Sequence, residues 1–313
     1  MKILFCGETF PGAPQILREQ LVADEIAVAP GASLAAAMDG AEVAIPLMSR
    51  IDAALMDAGR LRLIQQWGAG LDGVDLEAAR VRGIWVANVP ASGGNADSVA
   101  EHSVLLILAL LRQLDLAQAN VRAGVLGAPL GRMLAGRTVT LWGLGAIAQS
   151  LARRLRAFAV RLLGITRDPA AAKVRELGLD AVYSSSEYRQ ALAQTDILVV
   201  CLSLSAETRD IVDETALAAL PPGALLVNPA RGALVDYHAL HAALASGRLG
   251  GAGLDVYWHE PISPDDPLLA LPNVIATPHV AGVTDGSYQE IAAAVVHNLE
   301  RLRRGEPPLN RAV

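Results

Sequence analysis

The sequence predicts a parallel α/β protein built from two domains. Its 313 residues are more than one ordinary core accommodates and suit two. Short apolar runs alternate with segments of helical periodicity along almost the whole chain, which is typical of parallel sheets covered by helices. Hydrophobic residues make up 52% and charged residues 19%, so the composition favours a folded chain over a disordered one.

The first hundred residues contain four apolar runs that predict strands, with short helical segments between them. These runs are KILFCG, EVAIPL, RLIQQW and IWVANV. The stretch PASGGN then interrupts the pattern near residues 93–95, and a domain boundary is expected there because glycine and proline punctuate regular structure. One long helix is expected over NADSVAEHSVLLILALLRQLDLAQANVRAG, capped by Asn95 or Asp97 and ended by Gly124.

A second series of strands follows a glycine-rich loop. The predicted strands are RTVTLW, VRLLGIT, DAVYS, DILVVCL, GALLVN, AGLDV and NVIATP. The C-terminal segment GSYQEIAAAVVHNLERLRRG predicts a helix, because Ile291, Val295 and Leu299 recur every four residues on one face.

Charge and composition argue against several kinds of partner. The net charge is -6 and no block of Lys or Arg stands out, so nucleic acid is not expected. The longest apolar run, SVLLILALL, is too short for a bilayer, where about 20 residues are needed, so no membrane is expected. The N-terminus MKILFCGETF is interpreted as a strand and not a signal peptide, and a cytoplasmic location is expected. No His, Cys or acidic set has metal-ligand spacing, and no metal is expected.

The strand TVTLW leads into GLGAIA, a helix and the next strand RLLGIT. In this context a G-x-G-x-x-A loop indicates dinucleotide binding. Gly143 permits the tight turn, Gly145 lets the backbone approach a pyrophosphate, and Ala148 is small enough for close helix packing. The amides of Ala146 and Ile147 are expected to face the anion from the helix N-terminus.

The end of the second strand in this series bears on which dinucleotide is bound. An NAD-binding protein normally places Asp or Glu there to accept from the ribose 2′-hydroxyl. Here Thr166 and Arg167 occupy the position, and a hydroxyl beside a guanidinium suits the 2′-phosphate of NADP. Asp168 follows directly and could serve the ribose itself, so NADP is favoured and NAD stays possible.

Unusual polar residues stand where several strands end. They are Thr166, Asn228, Arg231, Asp255 and His279. Ligands of open parallel sheets bind outside the carboxyl ends of the strands, so these residues are expected to share one site. Arg231 within VNPARGALVD would then bind a small anionic substrate beside the cofactor.

Six segments together carry a resemblance to a known family. They are GAGLDGVDLEAARVRGI, NADSVAEHS, LAGRTVTLWGLGAIA, VNPARGALVD, AGLDVYWHEP and TPHVAG, and they cover most of the chain in order. As a set they resemble the NAD(P)-dependent D-2-hydroxyacid dehydrogenase family. The resemblance implies a catalytic triad of Arg231, Glu260 and His279.

The same resemblance assigns further residues to the ligands. Asp255 is implied to face the nicotinamide carboxamide, and Ala230 is placed with the cofactor-binding residues. The backbone loop at Ala69 and Gly70 is implied to bind the substrate carboxylate. One departure from the family pattern is Thr166, which bears on the choice between NAD and NADP.

The family architecture implied here has two Rossmann-like domains. A parallel-sheet cofactor domain, residues 94–282, is inserted into a smaller flavodoxin-like substrate domain formed by residues 1–93 and 283–313, with the active site in the cleft. The resemblance also implies a homodimer through the cofactor domain.

The implied activity is oxidoreduction between NAD(P)H and a small 2-oxo or D-2-hydroxy acid. His279 would donate the proton, Glu260 would orient it, and Arg231 would bind the substrate carboxylate. A non-enzymatic, dinucleotide-sensing corepressor is an alternative. Formate dehydrogenase is a weaker one, since that branch has glutamine where Glu260 stands. The sequence leaves open which acid is used, among them glyoxylate, hydroxypyruvate and phosphohydroxypyruvate.

Overall fold

The structure is a computed structural model that describes residues 1–170 and 176–313. The chain divides into two compact units. The first unit comprises Met1–Ala96 and Val283–Val313, and the second unit comprises Asp97–Gly282. The second unit is thus inserted in the sequence of the first, and the first crossing follows Ala96 instead of residue 93.

The first unit contains a five-stranded parallel sheet in the order β2-β1-β3-β4-β5. The strands are β1 Lys2–Phe5, β2 Glu25–Val28, β3 Val43–Ile45, β4 Leu63–Gln65 and β5 Trp85–Ala87. This is the flavodoxin-like order, so the predicted fold class of this part is confirmed. Strand β2 was not predicted from the sequence, because its residues EIAV lie at the sheet edge and none of them is fully buried.

Helices cover both faces of this sheet. Before the crossing they are α1 Gly12–Gln20, α2 Leu34–Ala37, α3 Ala53–Asp57 and α4 Leu76–Val81. Successive strand residues face opposite sides: Ile3 and Phe5 belong to one core cluster, and Leu4 to the other. The cluster around Leu4 includes Met38 and Met56, on the side of α2 and α3.

The second unit contains a seven-stranded parallel sheet in the order β12-β11-β10-β9-β6-β7-β8. The strands are β6 Thr138–Trp142, β7 Arg161–Thr166, β8 Ala181–Ser184, β9 Ile197–Val200, β10 Leu225–Asn228, β11 Gly251–Leu254 and β12 Val274–Ala276. Counted from β6, this is the Rossmann order with one added edge strand. The seven predicted strands are confirmed, and the direction of winding reverses between β6 and β9.

The helices of the second unit pack on both faces of its sheet, in two core clusters. They are α5 Ala96–Arg112, α7 Ala146–Leu155, α8 Tyr188–Leu192, α9 Glu214–Ala219 and α10 Tyr237–Ala245. The remaining helix, α6 Leu114–Arg122, buries none of its residues. No single helix among the described residues has the length and apolar character to cross a membrane; the bent pair α5 and α6 meets that test only jointly, by length and composition.

The prediction of one long helix after residue 95 is wrong, because the helix is interrupted at Gln113. Gln113 adopts the left-handed conformation (φ 48°, ψ 54°), and α5 and α6 diverge by 58°. The amide of Arg132 donates to the carbonyl of Leu111 over 2.8 Å, so the following loop satisfies a carbonyl at the end of α5. The residues around Gln113 have high helix propensity, so the sequence does not reveal an interruption that depends on a tertiary contact.

After the crossing, α11 Asp285–Arg303 returns the chain to the first unit. Thr284 and Ser287 form a capping box at its start. Ile291, Val295 and Leu299 are buried against the sheet, as their spacing predicts.

Candidate active site

The glycine turn lies at the point in the second unit where the winding reverses. Gly143 follows β6 with φ 95°, a conformation that side chains disfavour. A Cβ at Gly143 would lie 2.7 Å from the carbonyl oxygen of Cys201, the residue that follows β9. The turn therefore needs glycine here for both conformation and space, and it sits where ligands of such sheets bind.

The start of α7 is open to a ligand. Gly145 has extended backbone, and a Cβ there would meet no atom within 4 Å. Among the described residues no side chain caps this helix, so the amides of Ala146 and Ile147 are available to an anion. Ala148 is fully buried, as close packing of α7 on the sheet requires. These residues fit the pyrophosphate of a dinucleotide.

Thr166 and Arg167 lie at the carboxyl end of β7. Thr166 is half-buried and Arg167 is exposed. The Asp168 carboxylate accepts a hydrogen bond from the Ala170 amide over 3.1 Å, and so it serves the local turn. Glu207 lies nearby: the Ser205 hydroxyl holds its pKa below the usual range, and the charge of Arg167 contributes to this lowering.

The turn after β10 fixes the backbone around Arg231. The buried Asn228 donates from Nδ2 to the Arg231 carbonyl over 2.7 Å and accepts from the Ala230 amide over 3.1 Å. The Arg231 guanidinium donates to the Ala230 carbonyl over 2.7 Å. A Cβ at Gly232 would lie 2.1 Å from the carbonyl carbon of Tyr257, so this glycine lets the turn pack against the segment that carries Glu260.

Glu260 and His279 form a direct pair. Nδ1 of His279 lies 2.6 Å from Oε2 of Glu260, and the other carboxylate oxygen accepts the Tyr257 amide over 2.9 Å. The side chains of Glu260 and His279 are 15% and 25% exposed. Since a carboxylate only accepts, Nδ1 carries the proton of this bond.

The charges around Glu260 keep it ionised. Burial alone would raise its pKa, but the hydrogen bond and charge of His279, the Tyr257 amide and the charge of Arg231 together lower it. Arg231 and His279 both contribute to this lowering of the Glu260 pKa, so both lie near its carboxylate. Burial, followed by the charges of Asp255 and Glu260, raises the pKa of Tyr257 to about 12, so its hydroxyl stays protonated.

Asp255 is fully buried at the end of β11. Its carboxylate accepts hydrogen bonds from the Thr277 hydroxyl over 2.6 Å and from the amides of Val280 and Ala281 over 2.9 and 2.8 Å. These amides belong to the turn that carries His279. Asp255 thus accepts hydrogen bonds from three groups of the protein. Its contact with the nicotinamide carboxamide stays a prediction.

Other residues that hold this arrangement were not singled out from the sequence. His102 is one of them, and its Nε2 lies 2.9 Å from the Thr277 hydroxyl. Thr277 and the Tyr257 amide are two others. The sequence signal available for Thr277 is its position directly after β12, beside His279.

The predicted carboxylate-binding loop belongs to the first unit, where it follows β4. Asn88 Nδ2 donates to the Ala69 carbonyl over 2.7 Å. Gln66 Nε2 donates to the Gly70 carbonyl over 2.8 Å, and the Val89 amide donates to the Gly68 carbonyl over 3.0 Å. These bonds orient three successive peptide groups. Binding of a carboxylate by Ala69 and Gly70 stays a prediction.

No cluster of three or more His, Cys, Asp or Glu side chains that could hold a metal ion occurs in residues 1–170 and 176–313.

The strand order of the second unit, with a glycine turn where its winding reverses, defines a dinucleotide-binding protein of the Rossmann class. The model of the D-isomer specific 2-hydroxyacid dehydrogenase family, NAD binding domain, matches residues 104–281. The chain belongs to this family, and the resemblance drawn from its motifs is confirmed.

The chain is similar to glyoxylate reductases and to D-3-phosphoglycerate dehydrogenases. The chain is 36% identical to a glyoxylate reductase of Korarchaeum cryptofilum over 271 residues, 84% of this chain and 80% of the relative. It is 33% identical to a D-3-phosphoglycerate dehydrogenase of Archaeoglobus fulgidus over 273 residues, 86% of this chain. The chain spans about half the length of that second kind of relative, 50%.

A solved structure is similar over its whole length. The NADPH-dependent glyoxylate/hydroxypyruvate reductase of Sinorhizobium meliloti, in complex with NADP and malonate, has a TM-score of 0.85 and 34% identity. The match covers 100% of this chain and 96% of that one.

Proposed function

We propose that this protein is a 2-oxo acid reductase that transfers a hydride between a nicotinamide dinucleotide and a small 2-oxo or D-2-hydroxy acid. The observation that carries the proposal is the Glu260–His279 bond of 2.6 Å beside Arg231. The proposed proton donor, its orienting carboxylate and the proposed anion-binding cation follow neighbouring strands of a dinucleotide-binding unit, which supports the proposal. The names of the relatives favour a reductase over a dinucleotide-sensing corepressor.

Reduction of a 2-oxo acid needs a hydride at the carbonyl carbon and a proton at its oxygen. The nicotinamide, when bound, supplies the hydride. Arg231 binds the substrate carboxylate and polarises the carbonyl, because a guanidinium offers two parallel donors to a carboxylate. His279 gives the proton from Nε2, since Nδ1 is engaged with Glu260.

Glu260 acts through His279. Its ionised carboxylate fixes the ring orientation and stabilises the protonated imidazole that reduction consumes. The Tyr257 amide, 2.9 Å from the other carboxylate oxygen, holds Glu260 in place. This pairing also separates the chain from the formate dehydrogenase alternative, since formate oxidation has no hydroxyl proton for such a pair to handle.

Glyoxylate and hydroxypyruvate are the substrates after which the similar reductases are named. The experiment is an assay of glyoxylate, hydroxypyruvate, phosphohydroxypyruvate and bulkier 2-oxo acids with NADPH and NADH. We expect stoichiometric oxidation of the reduced cofactor with formation of the hydroxy acid. His279→Ala should lower the rate by about 10²–10⁴-fold, as for a lost general acid. Tight dinucleotide binding without turnover of any acid would support the corepressor alternative instead.

We also propose that NADP is the preferred cofactor. Thr166 and Arg167 provide a hydroxyl and an exposed guanidinium at the end of β7, and the Asp168 carboxylate is engaged by the Ala170 amide. A 2′-phosphate gains a charge-assisted hydrogen bond from such a guanidinium. The similar Sinorhizobium meliloti reductase, solved with NADP, supports this choice.

A homodimer through the second unit is proposed from its exposed apolar side chains. Within the described residues, all exposed large hydrophobic side chains of this unit lie between residues 105 and 133. They are Leu105, Leu114, Leu116, Val121, Val125, Leu126, Leu130 and Met133. A concentration of exposed apolar side chains in one segment favours an interface there, and a second copy of the chain is the partner that the family resemblance implies.

Light scattering at several concentrations tests the dimer. Leu126 and Leu130 are 93% and 92% exposed. The double substitution Leu126→Glu and Leu130→Glu should convert the dimer into a monomer without unfolding it. Val22→Glu is the matched control, because Val22 is 90% exposed but belongs to the first unit. A wild-type monomer, or a dimer that survives the double substitution, would rule out this surface.

A further inference from the structure

We infer that His102 and Thr277 are positioning residues that hold the turn of His279 through the buried carboxylate of Asp255. The inference rests on the proposed function for its link to catalysis, because His279 is the proposed proton donor. The residues involved all belong to the second unit. They join α5, the end of β11 and the turn after β12 into one hydrogen-bonded chain.

The turn that carries His279 adopts an unfavourable backbone conformation. His279 has φ 56°, in the left-handed region that a side chain disfavours. Such a conformation persists where surrounding contacts over-determine it. Here the next two amides, of Val280 and Ala281, both donate to the Asp255 carboxylate. Asp255 therefore fixes the backbone on the C-terminal side of His279.

Thr277 fixes the other side of the same turn. Its carbonyl accepts the His279 amide over 3.0 Å and the Tyr257 hydroxyl over 2.9 Å. Its hydroxyl lies 2.6 Å from the Asp255 carboxylate. A fully buried carboxylate needs such partners to offset its desolvation, so loss of the hydroxyl should release Asp255 from its position.

Proton counting then assigns the role of His102. A hydroxyl has one proton, and the Asp255 carboxylate has none to give, so Thr277 donates to Asp255. The contact of 2.9 Å between Thr277 Oγ1 and His102 Nε2 must therefore be donated by the histidine. His102 carries its proton on Nε2, with that atom also 3.6 Å from the Asp255 carboxylate. The side chain is 13% exposed, so water competes little for this bond.

Matched substitutions test the inference by kinetics. Thr277→Val and His102→Leu remove the hydroxyl and the donor, whereas Thr277→Ser and His102→Gln keep them. Thr277→Val and His102→Leu should each lower kcat for reduction by about 10-fold or more, since a small displacement of a catalytic group has effects of this order. KM for the oxo acid should change little, because Arg231 is untouched. Thr277→Ser and His102→Gln should keep most of the wild-type rate. His297→Leu, at an exposed position, is the control and should leave kcat unchanged.

Amide exchange in the cofactor-free protein supplies a readout that needs no activity. The amides of Val280 and Ala281 should exchange faster in Thr277→Val and His102→Leu, while amides in β7 keep their rates. Unchanged exchange at Val280 and Ala281 overturns the inference, and so does an unchanged kcat with a merely lower melting temperature. If the wild type reduces no 2-oxo acid, the proposed function fails, and the exchange rates alone decide whether this chain holds the turn.

Discussion

Nδ1 of His279 lies 2.6 Å from Oε2 of Glu260, although the two residues are 19 positions apart in the sequence. The bond is only partly exposed, and a second carboxylate oxygen is held by the Tyr257 amide. This bond fixes the orientation of the imidazole ring, and the proposed function assigns the proton transfer to its other nitrogen. The pair is therefore the most direct place to test the proposed function.

Replacing Glu260 by glutamine should move the pH profile of the reaction. The variant keeps the shape of the side chain and loses the charge that stabilises the protonated ring. Reduction needs that proton, so the alkaline limb of kcat/KM for reduction should move to lower pH. Oxidation of the hydroxy acid needs the neutral ring, and its acid limb should move in the same direction.

This shift is visible only if the hydride-transfer step limits the rate. An isotope effect with the deuterated reduced cofactor establishes that it does. With that effect present, a pH profile identical to the wild type would mean that Glu260 only holds the segment around Tyr257. The proton donor would then have to be another group.

Glu260→Gln should also make the free energy of unfolding less dependent on pH in the acid range. The pKa of Glu260 is lowered below its ordinary value of 4.5, since His279, the Tyr257 amide and Arg231 outweigh burial. Its stabilising effect is therefore complete above about pH 4.5 and is lost as the pH falls through the lower folded value. Urea unfolding should show Glu260→Gln less stable by about 1 kcal/mol near neutral pH, and the difference should disappear in stronger acid. A constant difference at every pH would contradict this account.

Arg231→Lys should separate substrate binding from cofactor binding. A lysine keeps the charge but loses the two parallel donors that fit a carboxylate. KM for the oxo acid should rise strongly while the dissociation constant of the dinucleotide stays nearly the same. Kinetics like those of the wild type would remove Arg231 from the substrate site.

Two glycines of one turn offer a matched pair of substitutions. Gly143→Ala meets both a positive φ and the Cys201 carbonyl at 2.7 Å, so it should destabilise the fold by more than about 1 kcal/mol. Gly145→Ala meets no atom within 4 Å and should leave the melting temperature unchanged. Its methyl group would occupy the approach to α7, so dinucleotide affinity should fall. Calorimetric unfolding and cofactor titration measure both; full affinity in Gly145→Ala would place the pyrophosphate elsewhere.

Arg167→Ala tests the proposed preference for NADP. If the guanidinium pairs with a 2′-phosphate, NADPH binding should weaken by about 1.5–3 kcal/mol, the range for charge-assisted hydrogen bonds. NADH binding should barely change. Equal losses for the two cofactors, or a wild-type preference for NADH, would show that Thr166 and Arg167 do not select a phosphate.

Much of the fold could be predicted from the sequence, because buried parallel strands are short apolar runs with clear flanks. The exceptions have physical causes. The edge strand β2 buries none of its residues fully, so its apolar signal is weak. The break at Gln113 depends on a loop that returns to bond Leu111, which local helix propensity does not reveal.

The site could be predicted only in its outline. Arg231, Asp255 and His279 stand at strand ends and are recognisable by position, while Glu260 was identified by resemblance to a family. The partners that hold them were missed. Thr277 and the amide of Tyr257 act through hydrogen bonds whose direction depends on how separate strands are placed beside each other.

The sequence by itself determined the parallel α/β class, the glycine turn and the family, because these depend on periodicity and on local motifs. Only the tertiary structure decided which nitrogen of His279 faces Glu260, why Gly232 must follow Arg231, and how His102 reaches Asp255 through Thr277. The reason is that hydrogen bonds and close backbone contacts act over about 3 Å. Residues far apart in the chain come within that distance only when the sheet is assembled.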